Sequence, residues 1–204
     1  MNKNQARSYN ILHKNFSLLP KIVIINNKNN KIGYLNLILL IKLFKTINVY
    51  QQNSTTKSLF KINKNTSNPL VHSYTINGFN PNTDIKNVDI KHIGYRNIYK
   101  KHSYEIKVNN NKLYMAYERS NRLTKLSTLI LMIPAIGEIL HYFLILIPQT
   151  YQIYYYNTSA NKKEMMADIK IRSNFFSKNI QLFISDENIK NDLIYISFGI
   201  LLYF

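Results

Sequence analysis

From Leu126 to Ile147 the chain carries no Lys or Arg and consists mostly of Leu, Ile and other apolar residues. It is long enough to cross a bilayer as one helix, so its fate divides the folds open to this sequence. Twelve of the residues from Ser127 to Ile147 are Leu, Ile or Phe, which together favour insertion by roughly 4 to 7 kcal/mol. Pro134, Gly137, Glu138 and His141 oppose it near the centre, where a carboxylate alone costs about 2.5–3.5 kcal/mol. Insertion is therefore marginal. The segment is expected to form a long apolar helix at about 125–147, either spanning a membrane or buried in an assembly.

Glu138 and His141 share one helical face in a Glu-x-x-His spacing of the kind that carboxylate-bridged di-iron bundles use. Such a site needs a second copy and two further Glu. Besides Glu138 the chain holds only Glu105, Glu118, Glu164 and Glu187, so a satisfied interior pair is expected and no metal. Cys is absent, which removes disulfides and thiolate chemistry together. No P-loop, dinucleotide fingerprint, zinc-protease helix or nucleophile elbow occurs. His13, His72, His92, His102 and His141 lack ligand spacing. No catalytic residue, cofactor or small-molecule substrate is expected.

The net charge of +17 is unevenly distributed. Residues 1–123 hold 20 Lys and Arg against Asp84, Asp89, Glu105 and Glu118, whereas residues 124–204 are nearly balanced. A segment this positive repels itself unless a polyanion neutralises it, and RNA phosphate is the commonest choice for a long-lived subunit, with anionic lipid second. The sequence divides accordingly into a basic extended arm (1–32), a basic α+β portion (33–123), and an apolar helix with C-terminal strands (124–204).

Local patterns supply the elements. The Asn/Lys-rich first 32 residues have too little apolar surface to fold alone and are expected to thread into a partner. The apolar run within Ile32–Phe44 predicts a short buried helix. Tyr104–Val108 and Leu113–Tyr117 alternate apolar and polar residues around Asn109, Asn110 and Asn111, the clearest hairpin signal in the chain, at about 103–118. Val71–Ile76 and Val88–Ile93 are expected to pair with it. Thr150–Tyr156, Asn179–Ser185 and Leu193–Phe204 are further strands, and Lys163–Ile169 a short helix. The fold class is α+β, with a small antiparallel sheet.

The outer face of that sheet is the candidate RNA-binding surface. It carries Lys86, Lys91, Tyr95, Arg96, Tyr99, Lys100, Lys101, Lys107 and Lys112, with Arg119 and Arg122 beyond the hairpin and Tyr114 among the aromatic residues. Lys neutralises phosphate and Tyr stacks on unpaired bases.

Asn, Ile, Lys and Tyr dominate the composition while Gly and Pro number five each and Trp is absent, a bias that codons made of A and T produce. In composition the chain resembles proteins encoded in the mitochondrial DNA of protists. That resemblance implies a ribosomal protein of the mitochondrial matrix, contacting rRNA and neighbouring ribosomal proteins. The alternative it implies is a single-span subunit of a respiratory complex or ATP synthase in the inner membrane, contacting other subunits and anionic lipid. No compact signal or import segment is read at the N-terminus.

Overall fold

A computed structural model of the chain describes residues 7–14, 21–36, 46–54, 56–65, 72–79, 83–93, 102–119, 148–157, 162–173, 177–188 and 191–203. Short stretches in which every second residue is apolar form twelve strands: β1 (Arg7–Lys14), β2 (Lys21–Asn26), β3 (Lys31–Asn36), β4 (Thr46–Gln51), β5 (Ser58–Lys64), β6 (Ser73–Asn77), β7 (Asn87–His92), β8 (Ser103–Val108), β9 (Lys112–Glu118), β10 (Gln149–Asn157), β11 (Lys162–Ser173) and β12 (Ser177–Ile184). Each pairs antiparallel with its sequence neighbours, and β12 pairs back onto β1 through Arg7↔Ile184 to Lys14↔Ser177, closing a barrel.

Period-two alternation sends one side chain of each adjacent pair into the lumen. Ile22, Ile24, Leu35, Val49, Phe60, Ile76, Ile106, Ile153, Ile169 and Leu182 are fully buried there. Side chains alone just fill an eight-stranded barrel. Twelve strands leave a wider lumen, and a helix, α1 (Asp192–Leu201), occupies it. Ile194, Tyr195, Phe198 and Ile200 are fully buried around its circumference, as expected of a helix that is apolar on all sides.

Polar contacts fix α1 at both ends. Near its N-terminus the Arg7 guanidinium donates to both Asp192 carboxylate oxygens, and the Tyr9 hydroxyl donates to the same carboxylate at 2.6 Å. Tyr195 donates to Asp186 Oδ2 at 2.6 Å. At the C-terminus Lys178 Nζ donates to the Leu202 carbonyl at 2.7 Å, and the Tyr203 hydroxyl lies 2.8 and 2.7 Å from the carbonyls of Ile11 and Lys178.

The α+β expectation is overturned: the described fold is a closed antiparallel barrel with one short helix inside it. The arm of residues 1–32 contains β1 and β2, the start of the buried-helix run lies in β3 while its residues 37–44 fall outside the described ones, and Lys163–Ile169 lies in β11. A barrel wall needs apolar residues at every second position only, so Asn and Lys outside dilute the signal without weakening the core. Leu193–Phe204 was expected to be a strand and is instead largely α1. A closed barrel leaves no free edge, so a chain entering the lumen must satisfy its own backbone hydrogen bonds, which a helix does. The hairpin stands where it was expected, as β8 and β9, with Asn109 and Asn110 at positive φ. The expected helix at 125–147 lies outside the described residues.

Candidate functional site

The up-and-down topology divides the connections between two ends. At one, here the rim, connections join β2 to β3, β4 to β5, β6 to β7, β8 to β9 and β10 to β11, and β12 feeds α1. Segments 37–45, 93–102 and 119–148 are among those that join strands at the other end, the mouth.

The rim is built on Asn. Asn29, Asn53, Asn109 and Asn110 hold positive φ, which Asn tolerates better than other side-chain-bearing residues. Asn109 Oδ1 accepts from the Lys86 backbone N–H at 2.8 Å while its Nδ2 donates to the Asp84 carbonyl at 2.7 Å, locking two connections together. On these connections and the adjoining strand ends stand Lys28, Lys31, Lys57, Lys86, Lys112, Lys162 and Lys163, all exposed. Asp84, Glu164 and Glu187 are the exposed carboxylates nearby. Glu164 pairs with Lys162, and at this end the buried Asp192 binds Arg7 while the half-buried Asp186 accepts from Tyr195. The described part of the rim thus carries an excess of positive charge.

Below it, on the outer wall of β9 and β10, Lys163 Nζ lies 4.6, 4.0 and 5.5 Å from the ring centroids of Tyr117, Tyr154 and Tyr156. The hydroxyls of Tyr117 and Tyr156 are 3.2 Å apart. Partial burial, followed by the bond to Tyr156, pushes the Tyr117 phenol up to about 12.

Of the residues expected to bind RNA, Lys86 and Lys112 reach the rim. Lys91 and Lys107 lie on the outer wall of β7 and β8, where Lys91 pairs in register with Glu105 and Lys107 with Asp89. Lys107 also bonds Glu105 at 2.9 Å, so this wall alternates in sign and is not a basic face. Arg119 is exposed at the mouth, its backbone N–H donating to the Thr150 carbonyl at 2.7 Å. Tyr114 points into the lumen, 3% exposed. Tyr95, Arg96, Tyr99, Lys100, Lys101 and Arg122 lie outside the described residues. No family model, curated protein or solved structure matches the chain. Function must therefore be argued from these two ends.

At the mouth, three histidines from separate strands, His72, His92 and His102, come together. His92 Nε2 and His102 Nδ1 are 3.1 Å apart, His72 and His92 meet edge to face at 6.4 Å, and the His102 backbone N–H donates to the buried Glu118 carboxylate at 3.1 Å. His13 packs edge-on against Tyr203 at 5.9 Å. Beside them opens a cavity of about 240 Å³. Among the described residues no group of three or more His, Asp or Glu is placed to hold a metal ion. The cluster is not visible in the sequence because His72, His92 and His102 stand at strand ends whose proximity depends on the pairing of β6, β7 and β8.

Proposed function

We propose that the protein is a structural constituent of the mitochondrial ribosome that binds rRNA through the lysine rim. The observation that carries this reading is the convergence of seven exposed lysines, from Lys28 to Lys163, on one end of the barrel. Hydrogen bonds within the Asn-based turns fix the backbone at Lys28 and Lys86, so these lysines are presented without the ordering entropy that a flexible arm loses on binding. Each lysine that neutralises a phosphate releases a counterion, so binding should be strong at low salt and fall steeply as salt rises. Tyr154 and Tyr156 stand beside Lys163, within reach of an unpaired base at the rim. This reading requires no catalytic residue and no cofactor.

The inner-membrane reading fits less well. Arg119 and Thr150, which flank the apolar segment, are joined by backbone and side-chain hydrogen bonds at 2.7 and 3.1 Å. A single crossing would separate its flanks by about 30 Å. No described helix is long and apolar enough to cross a membrane. On β6 to β8 the outward positions Ser73, Thr75, Asn87, Asp89, Lys91, Glu105 and Lys107 are polar and the lumen is apolar, the reverse of what a lipid-facing wall would carry on those strands.

The test is sedimentation of mitochondrial ribosomes in high salt and detergent, alongside carbonate extraction of the membranes. Co-sedimentation of the chain with rRNA after its release by carbonate supports the proposal. Retention in the carbonate pellet and absence from ribosomal fractions would overturn it.

A further inference from the structure

We propose that the lysine rim selects single-stranded RNA over duplex, by stacking an unpaired base on the tyrosines of the adjoining outer wall. The inference rests on the RNA reading above and specifies which form of RNA the rim takes. Alternation along β9, β10 and β11 turns a set of large side chains outward. Register places Leu113, Tyr156 and Lys163 side by side across the three strands, and Met115, Tyr154 and Met165 side by side in the next row. Tyr117 follows on β9, beside Gln152 of β10. Met165 is 46% exposed, and thioethers beside aromatic rings make a soft apolar surface that adapts to a flat guest. The patch continues the rim, since Lys112 precedes Leu113 on β9 and Lys162 precedes Lys163 on β11. It differs from the wall of β7 and β8, whose outward residues alternate in charge. The carboxylates around it are engaged or peripheral. Glu105, across from Met115, is bonded to Lys107 at 2.9 Å, Glu164 is paired with Lys162, and Asp168 lies across from Gln152 at the far border.

The rings are held in place before any ligand arrives. Tyr154 donates to Gln152 Oε1 at 2.9 Å, the hydroxyls of Tyr117 and Tyr156 are 3.2 Å apart, and the rings of Tyr117 and Tyr154 meet at 6.1 Å and 61°. Lys163 Nζ sits over all three rings, closest to Tyr154 at 4.0 Å. An ammonium over an exposed ring is attracted only weakly, and a phosphate is the stronger partner for its charge. When Lys163 turns to a phosphate of the bound strand, the ring faces it covered become available to the base of that nucleotide. Such a stack needs an unpaired base, because the faces of a paired base are covered by its neighbours in the helix. Electrostatics alone argues the other way: a duplex carries the higher charge density, so lysines without the tyrosines would hold it at least as well as a single strand. Preference for the single strand is therefore the property that the tyrosines add.

The test is filter binding of the full chain, over a series of salt concentrations, to three RNA probes of about twelve nucleotides. They are a strand without self-complementarity, the same strand with the bases removed from its central third, and its duplex with the complementary strand. The intact single strand is expected to bind about tenfold more tightly than either of the others, with the same salt slope for the intact and abasic strands. Tyr154→Leu combined with Tyr156→Leu should remove both preferences at an unchanged slope. Lys163→Gln should lower the slope by about 1 and keep the preference for the intact strand over the abasic one. The abasic comparison is made on the wild-type chain and so does not depend on how the variants fold. Equal binding of intact and abasic strands, or tighter binding of the duplex, would overturn the inference and leave the phosphate contacts of the rim standing. Absence of salt-dependent binding to every probe would overturn the RNA reading as well.

Discussion

Asp192 is the residue on which the helix plug turns. It stands in the first turn of α1, its side chain 5% exposed, and takes hydrogen bonds from Arg7 and Tyr9 of β1. Its charge also complements the positive end of the helix. Asp192→Asn keeps the shape but leaves the Arg7 guanidinium without its anion, and should cost about 3 kcal/mol in urea unfolding. A stability equal to wild type would show that the pair is dispensable. His13 makes a different prediction. Burial first, and the nearby Lys178 second, hold its imidazole below the ordinary value of 6.5, and its Nε2 is buried with no hydrogen-bond partner. The folded state therefore favours the neutral ring. Above pH 6.5 the ring is neutral folded and unfolded, and this contribution to stability is complete; as pH falls from 6.5 toward the lower folded value, the unfolded chain takes up the proton first and stability declines. His13→Gln should flatten the pH dependence of stability in that window. An identical slope in the variant would assign the effect to other groups.

At the scale of elements, the interior helix and the wall specify each other. The strands present apolar side chains inward at every second position, and α1 presents them on all sides. Phe198 touches the rings of Tyr104 and Tyr151 from the centre of the lumen, so Phe198→Ala should destabilise the fold by about 3–5 kcal/mol. Loss of the near-ultraviolet tyrosine signal at unchanged strand content would be the accompanying optical sign. A cost below about 1 kcal/mol would mean that the lumen collapses around the gap. The wall has one position of its own kind at Gly33, where an added Cβ would lie 2.5 Å from Leu59 Cδ1 and 2.8 Å from the Tyr50 carbonyl oxygen. Only a residue without Cβ lets β3 approach β4 and β5 this closely. The hairpin β8–β9 was legible in the sequence because its alternation, its Asn turn and its register lie within sixteen consecutive residues, from Ser103 to Glu118. The helix was not legible, since Ile194, Ile196 and Ile200 carry the β-branched signature of a strand and nothing local reports that every strand edge is already paired.

For the whole molecule, the topology sorts charge. Connections alternate between rim and mouth, and the rim connections carry Lys28, Lys57 and Lys86 while the strand ends beside them carry Lys31, Lys112, Lys162 and Lys163. A triple variant, Lys28→Glu, Lys86→Glu and Lys112→Glu, should reduce the slope of log affinity for RNA against log salt by about 2 to 3. The wall variant Lys91→Glu with Lys107→Glu should change it little, because acidic neighbours Glu105 and Asp89 already balance those lysines. Filter binding over a range of salt measures both. Equal effects from rim and wall would mean that overall charge acts and not the rim. Lys86 and Lys112 were recognised in the sequence as basic residues near a hairpin. Lys28, Lys31, Lys57, Lys162 and Lys163 were not associated with them, because their proximity depends on how twelve strands close into a circle.

The sequence by itself determined the local alphabet: which segments alternate, where Asn permits a tight turn, the size and sign of the charge, and the lack of thiol chemistry. These depend on residues within a few positions of one another. Only the tertiary structure decided that β12 returns to β1, that the last apolar segment is a helix in the lumen, and that lysines collect at one end and histidines at the other. Barrel closure is a pairing between residues more than 160 positions apart, such as Tyr9 and Leu182, and it is favoured because a closed sheet leaves no backbone group on an edge unpaired. That benefit belongs to the whole circle and has no counterpart in any window of the sequence.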